Sequence, residues 1–131
     1  MSAGSGLAAL RLAQDGITQR IALAGGGRDF VWASVREHIG CRRVRRVDLG
    51  EHLVLWADAV ASVQVNPVAS WFADWFGHRA PLFGVAVLAG RAGGGFVGFD
   101  CARLVGLEML AEAALRDASA EDGSVIAAVG G

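Results

Sequence analysis

The sequence predicts a single α+β domain: a mainly antiparallel sheet with two helices packed on one face, plus an added C-terminal helix. The length of 131 residues suits one domain. Strand-length runs of Val, Leu and Ile are separated by Gly-containing turns, and amphipathic segments begin at Asn or Asp and end near Gly. The expected order is β-β-α-β-β-α-β-(β)-α, which also permits a ferredoxin-like core.

Four strands and one helix are predicted in the first half of the chain. Asp15-Gly16 favours the tight turn of a hairpin. Asp29 is expected to cap a helix that ends at Gly40, because apolar residues recur every four positions between them. The strands are expected over residues 7–13, 17–24, 44–49 and 53–57.

The clearest helix start is Asn66-Pro67, with Asn as the N-cap and Pro at the first helical position. Trp71 lies at the edge of the expected core stripe of this helix. Core packing is the favoured interpretation of its aromatic residues. The alternative is that Trp71 and Trp75 anchor a partner chain or a homodimer, which an exposed Trp would indicate. The stripe itself comprises Val68, Phe72, Trp75 and Phe76.

A buried strand, its short partner and a last helix are predicted to complete the domain. The apolar run over residues 83–89 has strand length, and residues 96–99 can return beside it. Asp100 is expected to cap the last helix. We expect the acidic, small-residue tail to fray from about Ala118, with an optional edge strand over residues 125–129.

Composition argues against several classes of protein. The net charge of −1 gives no global attraction to nucleic acid or to a membrane. Two cysteines without a CxxC pair argue against a disulfide scaffold and suit the reducing cytoplasm. We expect neither a signal peptide nor a membrane span. The basic residues are all Arg, and Ala and Gly abound, which is typical of a GC-rich bacterial genome such as that of an actinobacterium.

The order of these elements and their turn residues resemble the bacterial and phage family known as domain of unknown function 3846. The resemblance covers roughly residues 7–99. It implies an antiparallel α+β fold and a gene on a phage, plasmid or integrated element, and it implies no activity. The matching segments are residues 10–16 (LRLAQDG), 35–40 (VREHIG), 53–58 (LVLWAD), 66–69 (NPVA) and 85–90 (VAVLAG).

An Arg cluster in the third predicted strand is the strongest candidate for a charged site. Four guanidinium groups within five residues could contact phosphates or an acidic partner. In a strand, however, Arg43 and Arg45 share one face while Arg42 and Arg46 share the other. The favoured interpretation is therefore an edge strand that its charges protect from aggregation.

Weaker candidates are found among the glycines, cysteines and histidines. Residues 93–98 satisfy GxGxxG, but the capping Asp100 would repel an anion, so a hairpin loop is favoured over a cofactor site. The charge of Asp29 would likewise repel an anion, which argues against a cofactor site at the glycines of residues 25–27. His38 and Cys41 form a single HxxC pair, whereas structural zinc needs two such pairs. No catalytic, cofactor-binding or metal-binding residue is predicted.

These observations favour a small non-enzymatic binding protein of a phage or mobile element that engages a protein partner or a second copy. One alternative is a nucleic-acid-binding or anti-defence protein that uses the Arg cluster. Another is a small-molecule-binding protein with polar groups at element ends: His52, Asp58 and Asn66. The candidate partner-binding residues are Trp71, Trp75, Arg42, Arg43, Arg45 and Arg46.

Overall fold

A computed structural model describes residues 6–25, 27–40, 43–59 and 64–130, with side chains described as far as residue 118. Its elements follow the predicted order, and the α+β class is confirmed. Predicted and observed strand bounds differ by three residues at most. The elements are β1 (Gly6–Leu12), β2 (Thr18–Ala24), α1 (Arg28–Ile39), β3 (Val44–Leu49), β4 (Leu53–Asp58), α2 (Pro67–Trp75), β5 (Phe83–Ala92), β6 (Gly95–Val97) and α3 (Cys101–Gly130).

The six strands form one sheet in the order β2-β1-β5-β4-β3, with β6 paired to the end of β5. Every strand pairing is antiparallel. β2 and β3 are the two edge strands of the main path. Three strands separate them, whereas a ferredoxin-like core places one strand between the pair that flanks the first helix. The strand order therefore differs from the ferredoxin-like possibility.

Helices cover both faces of the sheet, which corrects the prediction of helices on one face. Val54 and Trp56 of β4 pack with α1. Leu53 and Leu55 of the same strand pack with α2 and α3. Successive side chains of a strand point to opposite faces, so a strand covered on both sides must be apolar at consecutive positions. The unbroken apolar runs of β4 and β5 follow from this arrangement.

The helix ends confirm two of the three predicted caps. Asn66 Oδ1 accepts a hydrogen bond from Ala69 N at 3.0 Å, and Asp100 Oδ1 accepts one from Arg103 N at 2.8 Å. The expected cap at Asp29 is wrong, because Gly27 is the N-cap of α1 and makes no side-chain cap bond. Asp29 lies within the first turn, where its charge still favours the helix N-terminus.

α3 is longer than the sequence predicts. It continues to Gly130, through the segment expected to fray from about Ala118 and through residues 125–129, which were expected as an edge strand. Ala has the highest helix propensity of any residue, and the tail is rich in Ala. Among the described residues, no helix combines the length and apolar character needed to span a membrane.

Candidate functional site

An apolar groove lies between α2 and α3, with the β3–β4 end of the sheet at its base. Its cavity measures about 110 Å³. Trp75 is 70% exposed beside it, and Phe76, which follows α2, and Leu110 of α3 are also exposed. The groove is lined by Leu53, Trp71, Phe72, Trp75, Phe76, Leu107 and Leu110.

The exposure of Trp75 and Phe76 corrects their prediction as core residues. Two small residues, Ala69 and Ala73, are fully buried beside Val68 and Phe72. α2 is therefore rotated so that its alanines face the sheet, and Trp75 is turned away from the core. Phe76 is the C-cap, where the helix has already ended, and its ring lies near Gly50 of the β3–β4 turn.

Trp71 is half-buried, and it forms one fixed wall of the groove. Its indole N–H donates to Asp117 Oδ2 of α3 at 3.1 Å. The Trp71 and Trp75 ring centroids lie 5.2 Å apart, with their planes inclined by 37°. α3 therefore holds Trp71, and Trp71 in turn supports the more exposed Trp75. The structure brings together the two Trp residues that the sequence singled out.

Five further residues of the groove were not predicted as site residues: Leu53, Phe72, Phe76, Leu107 and Leu110. Leu107 was assigned to the core stripe of the last helix, and it is indeed buried. Leu110 lies outside that stripe and is 43% exposed. The sequence did contain one signal for this site, because a large apolar residue outside the stripe of an amphipathic helix can indicate a second contact surface. Its meaning depends on the neighbouring α2, which is distant in sequence.

The Arg cluster does not form one patch among the described residues; Arg42 lies outside them. Arg45 shares the α2 face of β3 with Val47 and Leu49, and its Nη2 lies 3.1 Å from His78 Nε2. Arg46 lies on the other face, where its guanidinium stacks 5.2 Å from the Phe96 ring centroid. Exposed Arg43 precedes β3. β3 is an edge strand, as the protective interpretation of the cluster requires.

Asp48 links Arg46 to Arg91 on the α1 face. The Asp48 carboxylate accepts from Arg46 Nε at 2.8 Å and lies 2.9 Å from Arg91 Nη1. Burial raises the pKa of this carboxyl, but the hydrogen bond and charge of Arg46, with those of Arg91, outweigh burial, so the net pKa is lowered. The carboxylate therefore stabilises the fold above its unfolded-state pKa of about 4, and this contribution disappears as pH falls through the lower folded pKa.

Replacing Asp48 by Asn is expected to lower the free energy of unfolding by less than about 1 kcal/mol at pH 7, because the pair is partly exposed to solvent. The difference from the native protein should shrink as pH falls below about 4, because the carboxylate of the folded state is then protonated as well. Urea unfolding at pH 7, 5 and 3 measures it. A difference that stays constant across this range would show that charge is not its cause.

The two glycine-rich segments meet around a second cavity, which sequence analysis did not foresee. Gly93 and Gly94 form the β5–β6 turn, with φ of 57° and 83°, so the hairpin interpretation is confirmed. Gly94 and Gly27 line a cavity of about 260 Å³ at the start of α1, together with Arg28. Asp29 lies in the same helical turn.

In the described part of the chain the candidate metal ligands do not come together, and His52 lies apart from Asp58 and Asn66, which both lie beside Phe83. No three His, Cys, Asp or Glu side chains there are placed to hold a metal ion, and Cys41 lies outside it. His52 precedes β4 and Asp58 ends it, so the strand separates them. Asn66 is fully buried, and both its amide nitrogen and its oxygen are hydrogen-bonded within the fold.

Comparison with protein-family models, with curated proteins and with solved structures found no match to this chain. The resemblance to domain of unknown function 3846 therefore stays a prediction from the sequence segments given above.

Proposed function

We propose that this protein is a non-enzymatic binding protein that engages a protein partner through the α2–α3 groove. The observation that supports this most directly is Trp75, which is 70% exposed beside an apolar cavity. Trp is over-represented among the residues that dominate binding energy at interfaces. Burying its exposed apolar surface against a partner would be favourable by roughly 25 cal/mol per Å².

The size of the groove favours a protein over a small molecule as its ligand. Its volume of about 110 Å³ is below the range of roughly 300–1,000 Å³ typical of small-molecule sites. A cavity of this size accommodates one inserted apolar side chain. Exposed Phe76 and Leu110 extend the apolar surface around it, as in the central part of a protein interface.

Arg45 is the candidate charged residue near this surface, through its contact with the segment that follows α2. It is exposed on the α2 face of the sheet and contacts His78, which follows α2. Arg46 faces the opposite side and is already paired with Asp48. We therefore keep Arg45 as a candidate that suits an acidic group of the partner, and we leave Arg46 out of the proposed site.

Trp75→Ala is expected to reduce partner binding by about 30-fold or more, corresponding to the roughly 2 kcal/mol of a binding hot spot. The folded state should be little affected, since the side chain is mostly exposed. The measurement is capture of tagged protein from lysate of the source organism at about 50 and about 200 mM salt, with and without nuclease. Captured proteins are quantified by mass spectrometry.

Phe30→Ala is the matched control for this experiment. Phe30 is also aromatic and 63% exposed, but it lies on α1 at the opposite face. The proposal expects one stoichiometric protein that is retained by Phe30→Ala, survives nuclease and salt, and is lost with Trp75→Ala. Equal capture by both variants would contradict it. Recovery of nucleic acid that is lost at the higher salt would favour the Arg cluster instead.

We also propose a cytoplasmic location and a gene on a phage or mobile element. The first is supported by the free thiol of Cys101, which is exposed. The second is supported by the sequence resemblance to domain of unknown function 3846.

A further inference from the structure

β2 exposes one row of backbone hydrogen-bonding groups at the edge of the sheet. Ala13 N donates to Ile17 O at 3.0 Å, which makes residues 13 and 17 a hydrogen-bonded pair. In an antiparallel ladder such pairs alternate, so Gln19, Ile21 and Leu23 also direct their N–H and C=O groups towards β1.

The residues between them direct these groups away from the sheet. Ala24 supports this assignment, because its N–H is bonded at 3.1 Å to the Ser34 hydroxyl of α1 and not to β1. Within the described part of the chain, the N–H and C=O groups of Thr18, Arg20 and Ala22 have no hydrogen-bond partner. Ser34 thus ends the open row at the end of β2.

The two edges of the sheet differ in their protection against pairing. β3 carries Arg45, Arg46 and Asp48, and such charges discourage edge-to-edge association. β2 has one charged residue, Arg20, and Glu108 of α3 holds it through two hydrogen bonds of 2.8 and 2.7 Å. The β2 edge is therefore close to neutral and contains no Pro.

We propose that β2 pairs with β2 of a second copy in antiparallel fashion, so that the two sheets become one continuous sheet. The backbone of this strand is self-complementary about a twofold axis beside Ile21. Arg20 of each copy then lies opposite Ala22 of the other, and Thr18 lies opposite Ala24, whose C=O remains available. Each open N–H meets a C=O, and no like charges face each other.

α3 presents apolar surface on the same side as this edge. Val105 precedes Glu108 by three residues, which places both on the β2-facing side of the helix. Val105 is 48% exposed, and the twofold axis would bring it towards its symmetry mate. The α2–α3 groove lies on the other side of α3, because Leu107 and Leu110 face α2. The dimer would therefore leave both grooves open.

Sedimentation and hydrogen exchange test this proposal. The native protein should show a concentration-dependent dimer, in which the amides of Arg20 and Ala22 exchange as slowly as those of Gln19 and Ile21. Ala22→Pro removes an outward N–H without breaking the β1 ladder. It should raise the dimer dissociation constant by about 30-fold or more, while Ala22→Thr, which keeps the N–H, should not.

Charge substitutions test the register without relying on Pro. Ala22→Arg would face Arg20 of the other copy and weaken the dimer, whereas Ala22→Glu at the same position would not. A native protein that sediments as a monomer at all concentrations would overturn the proposal. A dimer that is insensitive to Ala22→Pro or that dissociates with Trp75→Ala would also overturn it. If a variant no longer captures the partner from lysate but still forms the dimer, the proposal for the groove is affected and the proposal for the β2 dimer is not.

Discussion

Replacing Asn66 by Ala is expected to lower the free energy of unfolding by about 4 kcal/mol. The side chain is fully buried and joins three segments. Its Nδ2 donates to Leu12 O of β1 and to Gly84 O of β5, each at 2.8 Å, and its Oδ1 caps α2. The substitution removes the partner of one helical N–H and one hydrogen bond from each of two buried carbonyl groups, at about 1–3 kcal/mol for each buried group left unsatisfied. Urea unfolding measures the change.

Two further variants separate the contributions of Asn66. Asn66→Ser keeps an oxygen for the helix cap but loses both donors, so it should recover only the roughly 1 kcal/mol of the cap. Ser70→Ala is the milder control, because the Ser70 hydroxyl accepts one bond, from Leu82 N at 2.9 Å, at a site that is only partly buried. If Asn66→Ala cost no more than Ser70→Ala, the joining role of the amide would be refuted.

Gly98→Ala is expected to lower the free energy of unfolding by about 2 kcal/mol, because there is no space for a methyl group. A Cβ at this position would lie 2.8 Å from Ala8 N and 3.3 Å from Leu7 Cα, both backbone atoms of β1. Phe99 N, the next residue, donates to Ala8 O at 3.0 Å. The methyl group would therefore push β1 away from the end of β6 and strain this bond.

Gly106→Ala is the matched control, and its expected effect has the opposite sign. Gly106 lies in α3, and a Cβ there meets no atom within 4 Å. Ala should raise the free energy of unfolding by about 0.5–1 kcal/mol, because Gly loses more backbone entropy on forming a helix. Thermal unfolding of the two variants beside the native protein gives both signs. A common sign would show that the space around Gly98 is not the deciding factor.

Local signals were sufficient to predict most of the elements. The Asp15-Gly16 turn, the Asn66-Pro67 start and the cap at Asp100 each act within a few residues, and each is present in the structure. The observed N-cap of α1 is Gly27 and not the predicted Asp29. Gly27 has a φ of 128°, a backbone conformation that favours glycine. The strand order depends on long-range pairing, which local patterns do not encode. The coverage of both faces did have a local signal, the unbroken apolar runs of β4 and β5.

The candidate site was predicted in part for the same reason. Trp71 and Trp75 were recognised as potential anchors because two Trp residues in one helical turn exceed what a core stripe needs. The sequence placed Trp75 in the core stripe and Trp71 at its edge, because the large residues were taken as the buried face. In the structure Trp75 is exposed and Trp71 is half-buried. Ala69 and Ala73 occupy that face instead, and small residues allow α2 to approach the sheet closely. Leu110 became a site residue only through contact between α2 and α3.

The position of β5 determines when the sheet can be completed during folding. β5 lies at the centre of the sheet, and it pairs Leu10, near the start of the chain, with Leu88. The β1–β2 and β3–β4 hairpins close locally, but neither can join the other until β5 is available. Closing the long loop between β1 and β5 costs chain entropy before the central contacts of the sheet can form, so slow folding is expected for this topology. During synthesis, the inner side of β1 remains unpaired until residues near 88 have left the ribosome.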